Sequence, residues 1–284
     1  MKYIFFFFFY LLSLLPLSVL YVFGDILFLL SYYIIRYRRK VVDENLRNAF
    51  SELDNKEIDK LSKSFFRHFF NIMMEMIKMI SVKKKFLDKR VRYSNIELLD
   101  NFAKKNQSIL VVLGHFNNWE WLFVGASSLI KQDVLGIYKD INTSFFDYLM
   151  LKTRGKFGAD LVSMQDSYRE IFKRKDSNLV IGLIADQSPT LSNANFYTHF
   201  FNQEVPVFLG PEKLAKKMNA PLIYCDMKKI KRGYYEVNFE ILEGNPQDTK
   251  EGDITKRFIN RLERQIKDRP DCWLWSHRRW KHKR

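Results

Sequence analysis

Apolar and polar positions change rhythm several times along the chain, and each change predicts an element. Tyr3 to Gly24 is free of charge and holds the run Phe5 to Phe9. After Asp25 a second apolar run, Ile26 to Ile35, leads into Arg36-Tyr37-Arg38-Arg39-Lys40. From Asn55 to Val82 apolar residues (Ile58, Leu61, Phe65, Phe66, Phe69, Ile72, Met73, Met76, Ile77) return every three or four positions, which predicts an amphipathic helix. From residue 90 strands and helices alternate. Strands are predicted at Arg90–Tyr93, Ser108–Leu113, Asp133–Tyr138, Ala159–Ser163 and Leu179–Ala185. Helices are predicted at Asn95–Lys105 with Ser94 or Asn95 as its cap, Trp119–Ile130, Thr143–Arg154 and Ser167–Arg174. A long irregular stretch, Ser188–Leu209, precedes a helix from Pro211 to about Met218, with proline in its first turn. Pro221–Lys228 and Tyr234–Leu242 flank Lys231-Arg232-Gly233 and predict a hairpin. Ile254–Lys267 reads as a basic amphipathic helix. The alternation implies an α/β fold: a mixed sheet flanked by helices over residues 41–284, behind an N-terminal membrane-anchoring helix and basic juxtamembrane segment over residues 1–40.

The N-terminal run sets the environment. As a helix rising about 1.5 Å per residue, Tyr3–Gly24 reaches about 33 Å, enough for a hydrocarbon core of about 30 Å. A signal peptide fits poorly, because Lys2 alone would make its basic region and no small-x-small site closes the run. Pro16 and Asp25 interrupt the apolar surface, so the segment either spans once or lies as a bent anchor in the interface. The basic cluster behind it favours the cytoplasmic side of the membrane and attracts anionic headgroups.

Composition narrows the chemistry. The 284 residues carry a formal charge of +15, which suits acidic partners: anionic lipid, a phosphorylated substrate, an acidic carrier protein or nucleic acid. Cys225 and Cys272 form no C-x-x-C pair, so neither a disulfide framework nor a thiolate zinc site is expected. The five histidines (His68, His115, His199, His277, His282) lack the H-E-x-x-H spacing, so no metal and no cofactor is called for. His68 lies off the main apolar stripe of its helix and reads as structural.

The chemistry points to two strand ends, where ligands gather in open α/β sheets. Ser108–Leu113 ends in Gly114-His115, and Leu179–Ala185 ends in Asp186-Gln187. On one continuous helix His115 and Glu120 would lie about 140° apart at about 3.6 residues per turn. With His115 in the loop ahead of the helix and Asn117 or Asn118 as its cap, Glu120 points back from the first turn. It then orients one imidazole nitrogen and leaves the other to accept a proton. A polar strand end beside a capped helix, without catalysis, is the other reading of the same spacing.

Gly114-His115-Phe116-Asn117-Asn118-Trp119-Glu120 resembles the H-x4-D/E motif of glycerolipid-type acyltransferases, and with its N-W-E it is similar to the late acyltransferases of lipid A biosynthesis. The likeness runs through nearly the whole chain. Arg36 to Lys40 with Asn45-Leu46 resembles the segment after that family's anchor. Tyr138 and Asp147–Gly158, with Arg154-Gly155-Lys156-Phe157-Gly158, resemble a second block, and Ala185-Asp186-Gln187 a third. Phe200-Phe201 with Gly210 and the closing Trp275-Ser276-His277-Arg278-Arg279-Trp280-Lys281 complete the series. The chain departs where many members read D-Q-D-x-G, having Asp186-Gln187-Ser188-Pro189-Thr190. It departs again where they read Y-R-P, having Tyr138-Lys139-Asp140. Both departures bear on the acceptor more than on the reaction.

The resemblance implies a membrane-anchored O-acyltransferase on the cytoplasmic face. Acyl carrier protein would be the donor, and a hydroxyl of a phosphorylated lipid A precursor the acceptor. It implies His115 as general base with Glu120 as its partner. Arg154 would meet a substrate phosphate or transition-state charge, or else neutralise a helix end. Asp186, Gln187 and Asn118 would orient the site or acceptor, with turn capping as the alternative for the first two. Arg278 and Arg279 would contact phosphate or belong to a solvated basic tail. The aromatic residues of Ser188–Leu209 (Phe196, Tyr197, Phe200, Phe201, Phe208) would line an acyl tunnel or pack as a lid. Rival readings are an aminolipid or other glycolipid acceptor, a non-catalytic scaffold on anionic lipid, and a nucleic-acid binder. The apolar N-terminus and the lack of a nucleic-acid-binding module count against the last.

Overall fold

The structure is a computed structural model that describes residues 2–139, 144–174 and 177–282. Asp140 of the expected second block and Thr143 of the expected helix start lie outside the described residues. Two helices open the chain, α1 (Lys2–Leu14) and α2 (Leu17–Leu29), the latter running on as a π-helical turn, Leu30–Ile35. α3 (Arg39–Ala49) and the long α4 (Asn55–Met79) follow. Asp54 and Glu57 form a reciprocal capping box at the start of α4, which satisfies its first free N–H groups.

The body is a seven-stranded mixed sheet. Its strands are β1 (Val91–Tyr93), β2 (Ile109–Leu113), β3 (Asp133–Tyr138), β4 (Asp160–Ser163), β5 (Leu179–Ile184), β8 (Leu222–Lys231) and β9 (Tyr234–Glu243), in the order β1-β9-β8-β2-β5-β3-β4. β8, β2, β5, β3 and β4 run parallel; β9 turns back antiparallel to β8, and β1 joins it in parallel. β2 is buried at every position. Leu110 and Val112 meet one core, with α4 and α11 (Asp253–Asp268). Ile109, Val111 and Leu113 meet the other, with α6 (Glu97–Lys104) and α7 (Trp119–Ser127). Burial on both faces explains its continuous apolar run.

Three local expectations are corrected. Ser94 and Asn95 do not cap α6: Ser94 donates to Glu236, and Asn95 bonds the backbone N–H and C=O of Phe239, stitching β1 to β9. α3 begins within the basic cluster, at Arg39, and runs to Ala49, where no element was expected. The stretch Ser188–Leu209 contains a small antiparallel pair, β6 (Tyr197–Phe200) and β7 (Gln203–Pro206). Two short helices, α5 (Lys84–Asp88) and α9 (Ser167–Lys173), with α8 (Ser144–Arg154) and α10 (Gly210–Met218), complete the chain.

Candidate active site

β2 and β5 are parallel neighbours, with Leu113 opposite Ile184. Two residues on, the chains deliver His115 and Asp186 side by side. Gly114 makes this approach possible: a Cβ there would lie 2.7 Å from Leu262 Cδ1 and 3.3 Å from Asp186 Oδ2. His115 Nδ1–H donates to Asp186 Oδ1 at 2.6 Å, and the His115 backbone N–H donates to Asp186 Oδ2 at 2.8 Å. Trp273 Nε1–H donates to the same Oδ2 at 2.7 Å. The Asp186 side chain is 2% exposed and that of His115 19%, so the ring has one edge on solvent and one on a buried carboxylate. Burial alone would push the Asp186 carboxyl up, but the adjacent His115 ring, its two hydrogen bonds and Trp273 together hold it below the ordinary carboxylate range. His115 Nε2 faces outward, 3.5 Å from the Gln187 side-chain amide, and the ring edge meets Trp119 at 5.1 Å between centroids.

This corrects the partner expected for His115. Glu120 does not reach the imidazole. α7 starts at Trp119, and Asn118 caps it by accepting from Trp121 N–H at 2.9 Å. Glu120, in that first turn, points instead at the end of α8. There Arg154 grips it with Nε–H on Oε2 at 2.8 Å and Nη2–H on Oε1 at 2.5 Å, while Trp119 Nε1–H adds 3.0 Å to Oε1. Burial works against the Arg154 charge, but Glu120 more than offsets it and raises the guanidinium pKa. The two carboxylates thus divide the work: Asp186 holds the histidine, and Glu120 holds the arginine.

The loop from His115 to α7 is fixed from below. Asn117 sits at φ +52°, its backbone N–H on Cys272 O at 2.9 Å and its side-chain amide on Met227 O at 2.7 Å. His68 Nε2–H donates to Asn117 Oδ1 at 3.1 Å, while His68 Nδ1 accepts from Lys229 at 3.3 Å. Burial, and then the Lys229 charge, push the His68 pKa down and keep the ring neutral. Asn118 is fully buried, and its amide donates to Glu75 at 2.6 Å, so it is directed inward rather than towards a substrate. Glu75 also accepts from Tyr21 and Tyr235, tying α2, α4, α7 and β9 into one network.

The C-terminal block closes over the site. Leu274 N–H bonds His115 O at 3.0 Å, and Phe116 bridges Trp273. Arg38 and the Asn45 amide bond carbonyls of Trp275, Ser276 and His277, so the segment after the apolar helices is stapled to this block. His277 Nε2 accepts from Ser188 N–H at 3.2 Å, and burial lowers its pKa to about 4. Arg278 is exposed. Arg279 is buried across Phe200, not part of a solvated tail, and burial lowers its pKa to about 10.

Beside the Glu120–Arg154 pair opens an apolar pocket of about 760 Å³, part of it open to solvent. Trp119, Glu120 and Arg154 stand with Phe123 and Ala126 of α7, and with Ile130 just beyond its end, on one side. Val111, Leu113, Val180, Gly182, Ile184, Gly136 and Leu161 of the sheet form the other. None of the five aromatic residues expected in a tunnel lines it. Phe200 and Phe201 pack instead with Trp273, Trp275 and Trp280, and Phe208 lies against α10 and α11. Trp273 went unrecognised in the sequence, since a tryptophan beside other tryptophans carries no mark of the carboxylate it serves. Among the described residues no cluster of three or more His, Cys, Asp or Glu could hold a metal ion.

The chain thus has a mixed α/β sheet with a His–carboxylate pair at adjacent strand ends, an apolar pocket close by and apolar N-terminal helices. The chain belongs to the bacterial lipid A biosynthesis acyltransferase family, whose model matches residues 1–282. It is 23% identical over 255 residues to the lipid A biosynthesis palmitoleoyltransferase of Escherichia coli (strain K12), covering 87% of this chain and 80% of that protein. It is equally similar to a lipid A biosynthesis acyltransferase of Shigella flexneri. Membership supports acyl transfer to a lipid A precursor, so the acceptor is a lipid.

Proposed function

We propose that the protein transfers a fatty acyl chain from an acyl-carrier-protein thioester to a hydroxyl of a lipid A precursor at the cytoplasmic face of the inner membrane. The observation that carries this reading is the His115–Asp186 pair at adjacent strand ends, with the other imidazole edge partly open to solvent beside Gln187, next to an apolar pocket. The pocket lining suits a hydrocarbon chain. The net charge of +15 suits an acidic carrier protein and a phosphorylated acceptor.

Asp186 accepts a hydrogen bond from Nδ1–H and so leaves Nε2 as the base. The acceptor hydroxyl gives its proton to Nε2 as its oxygen attacks the thioester carbonyl carbon. That attack forms the ester C–O bond; collapse of the tetrahedral intermediate then restores the carbonyl C=O and breaks the C–S bond. The imidazolium then returns the proton to the departing thiolate, so no protein nucleophile and no redox partner enters. Arg154, held rigid by Glu120 at the pocket mouth, supplies positive charge to the thioester oxygen or an acceptor phosphate. Gln187, beside Nε2, orients the acceptor.

The test is transfer of labelled acyl chains from acyl carrier protein to a lipid A precursor by purified protein. His115→Ala is expected to lower the rate by about three orders of magnitude while acceptor binding persists. Full activity of that variant would overturn the mechanism. Transfer to an aminolipid but not to a lipid A precursor would overturn the acceptor.

A further inference from the structure

The helix from Leu17 to Ile35 is long and apolar enough to cross a membrane, yet its contacts argue for another placement. Its buried positions, Leu17, Leu20, Tyr21, Gly24, Phe28, Ser31 and Tyr32, recur at helical spacing and face the protein. Halfway along, Asp25 is paired on two sides. Arg232, at the tip of the β8–β9 hairpin, donates from Nη1 to Asp25 Oδ2 at 3.0 Å, and Arg67 of α4 donates from Nε to Oδ1 at 3.3 Å. Arg232 also bonds Tyr21 O and Asn71. Gly233 stands at φ +71° so close to Tyr21 that a Cβ would lie 2.2 Å from its hydroxyl. Tyr21 in turn donates to the buried Glu75 at 2.6 Å.

The break before this helix is also built into the body. Pro16 ends α1, and the carbonyls freed there are taken up by α4 and its end. Lys78 donates to Ser13 O and Leu15 O at 2.8 and 2.9 Å, and Ser81 to Ser13 O at 2.7 Å. α1, with 13 residues, reaches only about 20 Å. If Leu17–Ile35 crossed a bilayer with these contacts intact, Asp25, Arg232, Arg67 and the hairpin tip would be carried to mid-membrane. A charge there costs several kcal/mol on the least severe scales.

The opposite face is apolar and exposed. Val22, Phe23, Ile26, Leu30, Tyr33 and Ile34 recur at the same spacing, and Ile4, Phe7, Phe8 and Leu11 continue the surface along α1. Arg36, Arg38 and Lys40 are exposed at its end. One apolar face with a basic rim matches a helix lying about 5–10 Å into the headgroup and acyl boundary of an anionic leaflet. We propose that residues 2–40 form a monotopic platform that dips into one leaflet of an anionic membrane, with the N-terminus and the catalytic domain on the same side. The platform touches the site at both ends. Phe5, Phe6 and Phe9 pack on Phe145 and Tyr148 of α8, the helix that ends in Arg154, and Arg38 holds Ser276 beside His277. A lipid drawn from that leaflet therefore meets the site without leaving the surface. The topology does not depend on the chemistry and would stand if the proposed reaction failed.

The experiment places a single cysteine in an N-terminal tag of the full chain; Cys225 and Cys272 are buried and leave a quiet background. A membrane-impermeant maleimide should label the tag in inverted inner-membrane vesicles and leave it unlabelled in intact spheroplasts. Labelling in intact spheroplasts would show that the chain crosses and would overturn the proposal. In a second measurement, Phe23→Glu with Ile26→Glu and Leu30→Glu should weaken flotation with phosphatidylethanolamine–phosphatidylglycerol vesicles by more than about tenfold, with unchanged thermal unfolding, because each change removes apolar insertion and adds charge. Unchanged flotation, or a dimer that these changes split while flotation persists, would show the face to be a protein interface and would also overturn it.

Discussion

Replacing Asp186 by asparagine exchanges one oxygen for an NH2 group, and the hydrogen bonds around it decide where that group goes. Oδ2 accepts two N–H groups, from the His115 backbone and the Trp273 indole, and Oδ1 accepts the His115 ring proton. An amide nitrogen at the Oδ2 position would face two donors and leave three buried N–H groups clashing. The amide therefore settles with oxygen at Oδ2 and NH2 towards His115 Nδ1. Nδ1 must then accept, the ring proton moves to Nε2, and the nitrogen that should take the hydroxyl proton already carries one. The same change of tautomer in serine-protease triads costs about 10⁴ in kcat. A loss of about 10³–10⁴ is expected here, equivalent to about 4–5.5 kcal/mol of transition-state stabilisation at about 1.36 kcal/mol per tenfold. Single-turnover acyl transfer from acyl carrier protein measures it, with circular dichroism to show that the fold persists. Glu120→Gln is the control. It touches Arg154 and Trp119 but not His115, so it should lower the rate and leave the ring tautomer, read by 15N NMR of the imidazole, unchanged. A folded Asp186→Asn enzyme within tenfold of the parent would refute the assignment, as would a Glu120→Gln enzyme that alone changes the tautomer.

Two further outcomes follow from the surroundings of the site. A Cβ on Gly182 meets only Phe123 Cε2 at 3.6 and Cδ2 at 3.8 Å and a carbonyl at 3.9 Å, so Gly182→Leu fits its strand and fills the pocket. Competition between donors of different chain length should show kcat/KM falling about 10–200-fold per displaced methylene for long donors, with short donors spared; an unchanged ratio would remove the pocket as the acyl site. His68 is neutral when folded, with its pKa below the ordinary 6.5, so the unfolded chain takes up a proton that the folded chain refuses. Stability should therefore be lost as pH falls below about 6.5, with a slope of about 1.4 kcal/mol per pH unit from this residue. Urea unfolding at several pH values should find that slope reduced in His68→Gln, and an unaltered slope would sink the argument.

The amphipathic period of α4, the five-residue apolar run of β2 and the alternation after residue 90 were legible because each is a local pattern repeated over several turns or a whole strand. The small β6–β7 pair was not, because its strands are four residues each and their pairing is fixed by Phe200, Phe201 and the C-terminal tryptophans rather than by alternation. Asn118 was legible as a helix cap, which is a local matter, but its inward bond to Glu75 spans 43 positions. Asp25 looked misplaced in an apolar run for the same reason, since its partner Arg232 arrives from 207 positions away.

By itself the sequence determined that a buried strand ends in Gly114-His115, that a second ends in Asp186, and that an apolar segment with a basic rim precedes them. Those are consequences of side-chain character and short-range backbone geometry. Which carboxylate serves His115 was decided only by tertiary structure. Glu120 is five residues away, but its helix turns it towards Arg154. Asp186 is 71 residues away, but the parallel register of β2 and β5 sets it against the ring. Neighbouring strands lie about 4.8 Å apart whatever their distance in sequence, so proximity along the chain is a weaker guide to a catalytic partner than position in the sheet.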